Sequence, residues 1–156
     1  MSDAPAPTLV ILLRHGTAEP SAPGGDRERR LAPGAGGAVR EAARRIAAHG
    51  PARALVSSAV RTRETFEACR AEWPGIEVEM RPAIYNAGAN DLVALAGNGT
   101  GPLVIVGHNP GITGAAQAMS GGAFADVMRP ADAVVVDYDP ATGTGRLVEH
   151  IRPQRD

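Results

Sequence analysis

A chain of 156 residues, 44% of them hydrophobic and with a formal net charge of −1, is long enough for one domain with a sizeable core. Its near-neutral charge excludes bulk attraction to nucleic acid or an acidic membrane surface, and 3% aromatic residues provide no stacking platform for single strands. The single cysteine, Cys69, has no partner for an internal disulfide, and no run is apolar and long enough to span a bilayer. Residues 1–8 contain Pro5 and Pro7 and lack the basic start of a secretory signal. They read as a flexible tail on a cytoplasmic protein, ahead of a single domain over residues 9–152.

Leu9 to Leu13 is a short apolar run that reads as a buried strand. It ends in Arg14-His15-Gly16, where Gly16 lets the backbone turn. Thr17 to Pro33, rich in Pro, Gly and charge, reads as a long loop beside that strand end. Val39, Ala42, Ala43 and Ile46 then mark an amphipathic helix that stops at His49-Gly50-Pro51. Ala54 to Val56 is a second strand. Ser57 or Ser58 is placed to cap a second helix with Ala59, Thr62, Phe66 and Cys69 on one face. Trp73-Pro74-Gly75 ends that helix, and Ile76 to Met80 reads as a third strand near an edge.

Asn90 or Asp91 can cap a short helix through Leu92 and Leu95, and Asn98 to Pro102 reads as a turn. Leu103 to Val106 is the second strong apolar run and a core strand. Asn109 can cap the next helix, with Pro110 at its first position and Ile112, Ala115, Ala116 and Met119 buried. Ser120-Gly121-Gly122 stops it. Ala133 to Val136 and Arg146 to Ile151 close the sheet through a turn at Asp139 to Gly145. Strands alternating with helices predict a three-layer α/β/α sandwich with a mostly parallel central sheet.

Open sheets of this kind place ligands at the carboxyl ends of their strands. Three such ends carry chemistry: Arg14-His15, then Ser57-Ser58 followed by Arg61, then His108-Asn109. Two Arg, two His and free backbone N–H groups at helix starts together make a pocket for a phosphoryl dianion. Arg offers a planar fork of donors suited to phosphate, and His can act as a nucleophile near neutral pH.

Arg14-His15-Gly16, Ser57-Ser58-x-x-Arg61-Thr62-x-x-Thr65 and Gly107-His108-Asn109 resemble the motifs of the histidine phosphatase superfamily, also called phosphoglycerate mutase-like. The small size, Asp26-x-x-Arg29-x-Leu31 and the block Val106 to Gly111 are similar to its SixA-like phosphohistidine phosphatases. The resemblance spans about Leu9 to Asp137 and implies the phosphoglycerate mutase-like fold. It implies that His15 is the nucleophile and that Arg14, Arg61 and His108 neutralise the transferring oxygens. Arg29, Gly16 and Asn109 are implied as substrate-binding residues, and no metal or cofactor is required.

Larger relatives carry a Glu after the third strand that protonates the leaving oxygen. Arg81 to Gly88 holds no carboxylate here, and Ala83 stands in that stretch. A general acid is commonly worth about 10²–10⁴ in rate, so its loss favours a P–N substrate whose leaving imidazole already carries a proton. Glu19 and Asp26 in the loop are the candidates for a substitute acid. The implied activity is removal of phosphate from a phosphohistidine of a partner protein such as a phosphotransfer domain. The alternatives are a small-molecule phosphomonoester phosphatase and a phosphate-binding module without turnover. Arg27 and Arg30 read as surface, His49 and His150 as structural, and Cys69 as an inert core thiol. Tyr85 is left either to line the entrance or only to pack.

Overall fold

In the computed structural model, which describes residues 6–97 and 101–154, the apolar runs form a six-stranded sheet. The first five residues of the expected tail, and Asn98 to Thr100 of the expected turn, lie outside the described residues. The strands are β1 (Thr8–Arg14), β2 (Arg53–Ser57), β3 (Glu77–Arg81), β4 (Leu103–Gly107), β5 (Ala133–Asp139) and β6 (Thr144–Ile151). Their order is β3-β2-β4-β1-β5-β6. Pairings from β3 through β1 are parallel, while β5 and β6 join antiparallel, so the sheet is mixed with a parallel larger part. The helices are α1 (Gly36–Ala47), α2 (Val60–Cys69), α3 (Ala89–Leu95) and α4 (Gly111–Met119).

The strand period of two divides the apolar residues between the faces of this sheet. Val10, Leu12, Leu103, Ile105, Val134 and Val136 pack under α3 and α4 with Leu92, Ile112 and Met119. Ile11, Leu13, Val104, Val106, Ala133 and Val135 pack under α1 and α2 with Val39, Ile46 and Phe66. This is the expected three-layer sandwich. The two strongest apolar runs are central because both of their faces are covered, and each such side chain contributes about 1.5–3 kcal/mol on burial. At the edge, β3 exposes Glu77 and Glu79, charges that oppose pairing with another chain.

Three expected helix caps are corrected. Ala59, not Ser57 or Ser58, precedes α2, and no side chain caps it. Ser57 belongs to β2, and its hydroxyl is taken by His108. Gly88 precedes α3, while Asn90 and Asp91 lie inside it; the Asp91 carboxylate accepts the Gly88 N–H at 3.0 Å. Pro110 precedes α4 rather than opening it, and the Asn109 amide donates to the Met128 carbonyl and accepts from Thr113 Oγ1. For Ser57 and Asn109 a partner elsewhere claims the polar side chain that local preference assigned to the helix end, whereas Asp91 reaches back to the start of its own helix. Thr8 also departs from the expected tail, since it pairs with Tyr138 as the first residue of β1.

Gly16 is required for space rather than for its backbone angle. Its φ is not among the positive ones. A Cβ there would lie 2.7 Å from Val39 Cγ2 and 3.3 Å from Leu31 Cδ2. Gly16→Ala should destabilise the fold by about 1–3 kcal/mol, the usual cost of overpacking. Combining it with Val39→Ala should lose less than the sum of the two single losses in urea unfolding. Strict additivity would contradict the close approach.

Candidate active site

The carboxyl ends of β1, β2 and β4 meet at one edge of the sheet because these strands are parallel neighbours. Arg14 is in register with Gly107, and the His15 N–H donates to the Gly107 carbonyl at 3.2 Å. His108 follows directly, and the two imidazole centroids are 5.3 Å apart. The Ala131 N–H reaches the Arg14 and His15 carbonyls at 3.1 and 3.0 Å and fixes the backbone as β1 ends.

His15 is 7% exposed, and its Nδ1 donates to the Gly16 carbonyl at 2.7 Å. A carbonyl only accepts, so the proton sits on Nδ1 and the Nε2 lone pair is available. His108 Nε2 lies 2.7 Å from Ser57 Oγ, which also accepts the Ala59 N–H. Ser57 thereby holds the His108 ring at one nitrogen and leaves the other, Nδ1. That Nδ1 is buried without a partner among the described residues, as is Arg61 Nε. Unmet buried polar groups are costly, and an anion would satisfy the Arg61 Nε–H.

Arg61 stands in the first turn of α2 and is buried. Its neighbour one turn on, Thr65, accepts the Gly16 N–H and donates to the Arg61 carbonyl, tying helix to strand end. Arg14 Nη1 donates to the Met128 carbonyl at 3.0 Å, the same oxygen that the Asn109 amide reaches at 2.9 Å. Both guanidinium charges act on both imidazoles. Burial chiefly, with His108, Arg61 and Arg14, lowers His15 from 6.5 to about 3. Burial, then Arg61, lowers His108 from 6.5 to about 4 against the opposing Asp26 charge. The two rings are neutral at neutral pH, and the two guanidiniums are charged.

The structure thus brings Arg14, His15, Arg61 and His108 together, with Gly16 beside them. Asn109 reaches the cluster through the Met128 carbonyl shared with Arg14. Arg29 is tied to the loop, donating to the Glu19 carbonyl at 2.7 Å and to Asp26 Oδ1 at 2.9 Å. Asp26 also accepts from Arg61 and from the Tyr85 hydroxyl. The Tyr85, Arg29 and Arg61 hydrogen bonds hold its carboxyl well below the usual carboxylate range, so it is ionised and a poor proton donor. Glu19 meets the cluster through its backbone carbonyl alone among the bonds described. Tyr85 both packs and borders the site, with its edge to His108 at 5.5 Å and Arg27 over its ring at 4.4 Å.

Sequence reasoning missed Ser57 as the partner of His108 and Asp26 as the partner of Arg61. No local pattern signals either pairing, which join residues 51 and 35 positions apart. His49 is bonded to Glu149, and His150 packs on Phe124, both away from the cluster. Burial pushes the Cys69 thiol up to about 12, which leaves it unreactive. Among the described residues no three His, Cys, Asp or Glu side chains gather as a metal site, and no helix is long and apolar enough to cross a membrane.

The family model of the histidine phosphatase superfamily (branch 1) matches residues 10–93, more than half of the chain. Among solved structures, the "putative phosphohistidine phosphatase SixA" from Agrobacterium tumefaciens superposes with a TM-score of 0.82 at 29% identity, covering 94% of this chain and 99% of that one. The protein histidine phosphatase SixA complexed with tungstate gives 0.77 at 21%, covering 94% and 97%. A phosphoserine phosphatase from Entamoeba histolytica gives 0.68 at 13%, covering 94% and 98%. The last two likenesses speak for the fold alone. No curated protein sequence matches the chain.

The two neutral imidazoles predict how stability responds to acid. In the unfolded chain both take up protons near pH 6.5, but in the folded protein only near 3 and 4. Between these values the unfolded state binds more protons, so stability rises with pH there. It should be fully present above about 6.5 and fall as the pH drops toward 4. Denaturant titrations across that range should show this slope, and His15→Gln with His108→Gln should flatten it. An unchanged slope in the double variant would show that these imidazoles are not held neutral.

Proposed function

We propose that this chain, which belongs to the histidine phosphatase superfamily and is a phosphatase, removes phosphate from a phosphorylated histidine of a partner protein through a phosphohistidine on its own His15. The observation that carries the reading is the neutral His15 ring, with Nδ1 bound to the Gly16 carbonyl and Nε2 unprotonated. Its neighbours are two guanidiniums and an imidazole with an unpaired buried nitrogen. A nucleophile and a set of anion ligands in one pocket are the parts that phosphoryl transfer needs.

The reaction runs in two displacements. His15 Nε2 gives its lone pair to phosphorus as the substrate P–N bond breaks. The electron pair leaves with the substrate imidazole, which departs neutral because its other nitrogen carries a proton. Water then attacks the phosphorus, inorganic phosphate is released and His15 returns to its starting form. Arg14, Arg61 and His108 neutralise the equatorial oxygens while charge is redistributed. Gly16 and Asn109 shape the floor of the pocket, and Arg29 borders it through Asp26.

The leaving group follows from the acids at hand. Pro82 to Ile84 forms a single turn after β3 in which Ala83 offers no carboxylate, and Asp26 is held ionised. An alkoxide needs a proton as it departs, but a protonated imidazole does not. A protein substrate is supported by the open surroundings. Between β3 and β4 the described chain adds only the single turn Pro82–Ile84 and α3.

The test is turnover of phosphoramidate, a phosphohistidine peptide, p-nitrophenyl phosphate and a sugar phosphate by the unmodified enzyme. Phosphoramidate and the peptide should react far faster than the sugar phosphate. Equal rates would overturn the P–N reading and favour a small-molecule phosphomonoester phosphatase. His15→Ala should abolish turnover while keeping phosphate binding. Arg14→Ala, Arg61→Ala and His108→Ala should each lower kcat/KM by about 10²-fold or more, as for loss of one transition-state donor. Substantial activity in a folded His15→Ala protein would sink the assignment.

A further inference from the structure

Residue 26 holds Arg61 at two points. Arg61 Nη1 donates to the Asp26 backbone carbonyl at 2.8 Å, and Nη2 donates to Asp26 Oδ2 at 3.1 Å. A guanidinium has five N–H donors, so one acceptor at each terminal nitrogen leaves the Nε side of the fork unengaged. Arg61 Nε is buried and has no partner among the described residues. The same arginine is thus gripped on one side by the loop and left with an unmet donor on the other.

The grip is itself built. The Asp26 carboxylate accepts from Arg29 Nη1 at 2.9 Å and from the Tyr85 hydroxyl. Arg29 Nε is anchored on the Glu19 carbonyl. Further along the loop, Glu64 of α2 accepts the Leu31 N–H at 2.8 Å and pairs with Arg30 at 3.2 Å. The loop is therefore docked on α2 at both Arg61 and Glu64. We propose that Asp26 is a positioning residue, which fixes the Arg61 guanidinium so that its Nε side serves the phosphoryl group.

This inference rests on the reading of the site as a phosphoryl pocket. Asp26 acts through Arg61, a long side chain that would otherwise have many rotamers to lose when it binds an anion. Two other roles for the same carboxylate give opposite signatures. If Asp26 occupied Arg61 as a stand-in for phosphate, its removal would tighten phosphate binding. If it were a proton donor, Asp26→Asn would be as damaging as Asp26→Ala.

The experiment is a double-mutant cycle between Asp26 and Arg61, read by kcat, KM and the dissociation constant for inorganic phosphate. Asp26→Ala should lower kcat by about tenfold or more and weaken phosphate binding, as loss of a preorganised donor does. Asp26→Asn keeps an acceptor for Arg61 and should fall less, with an unmoved pH profile. In an Arg61→Ala background, Asp26→Ala should have little further effect on either quantity. Additive losses, tighter phosphate binding in Asp26→Ala, or equal damage in Asp26→Asn would each overturn the proposal. If Arg61→Ala alone changed neither turnover nor phosphate binding, the phosphoryl-pocket reading would fail instead. The cycle reads the same on any phosphoryl substrate, so it does not depend on the leaving group.

Discussion

The parallel pairing of β1 with β4 is the constraint on which the site depends. Its register sets Arg14 against Gly107 and brings the His15 N–H onto the Gly107 carbonyl. His15 and His108 are consecutive to those paired residues, so the distance between the two rings is decided by backbone hydrogen bonds. Both faces of these strands are apolar, so alternation alone would not fix the register. The ends of the runs do that. Arg14 and His15 lie beyond the apolar stretch of one strand, and Gly107 and His108 beyond that of the other. A slip by one residue would carry a polar end into the core or an aliphatic one into the pocket.

Given that frame, the electrostatics follow from what is buried. Two arginines keep their charge at any relevant pH. Two imidazoles beside them respond to burial and to those charges by staying neutral. A protonated His15 would have no lone pair on Nε2 to attack with. The charges proposed to bind a phosphate therefore also help keep the proposed nucleophile in its reactive form. An arriving dianion would offset them and favour a proton on His108, where hydrogen bonding to an oxygen is useful.

What was legible in the sequence was whatever depended on short range. The apolar runs Leu9 to Leu13 and Leu103 to Val106 and the helical spacing of Val39 to Ile46 needed no partner to be recognised. Their ends placed Arg14, His15, Arg61 and His108 on one edge of the sheet. The helix caps were misread because Ser57 and Asn109 are committed to distant groups, His108 and the Met128 carbonyl. A residue preference for helix ends is worth about 1 kcal/mol, less than the loss on leaving a buried imidazole nitrogen unpaired. The direction of β5 was also not written in its residues, since an apolar run reads alike in both directions. Asp26 was visible only as a loop acid, and its pairing with Tyr85 joins residues 59 positions apart.

One helix gathers the remaining requirements. Arg61 and Thr65, four residues apart on α2, lie on the same face. Thr65 accepts the Gly16 N–H directly after His15 and donates to the Arg61 carbonyl. Glu64, between them, anchors the loop at Leu31, and Arg61 meets it again at Asp26. The strand end, Arg61 and the loop are thus referred to a single rigid element. That arrangement suits a reaction whose catalysis is mostly positioning, because displacement of any one part is resisted by the other two. It also divides the labour by burial. Arg61 on the helix is buried and fixed, whereas the loop residue that grips it, Asp26, is half exposed.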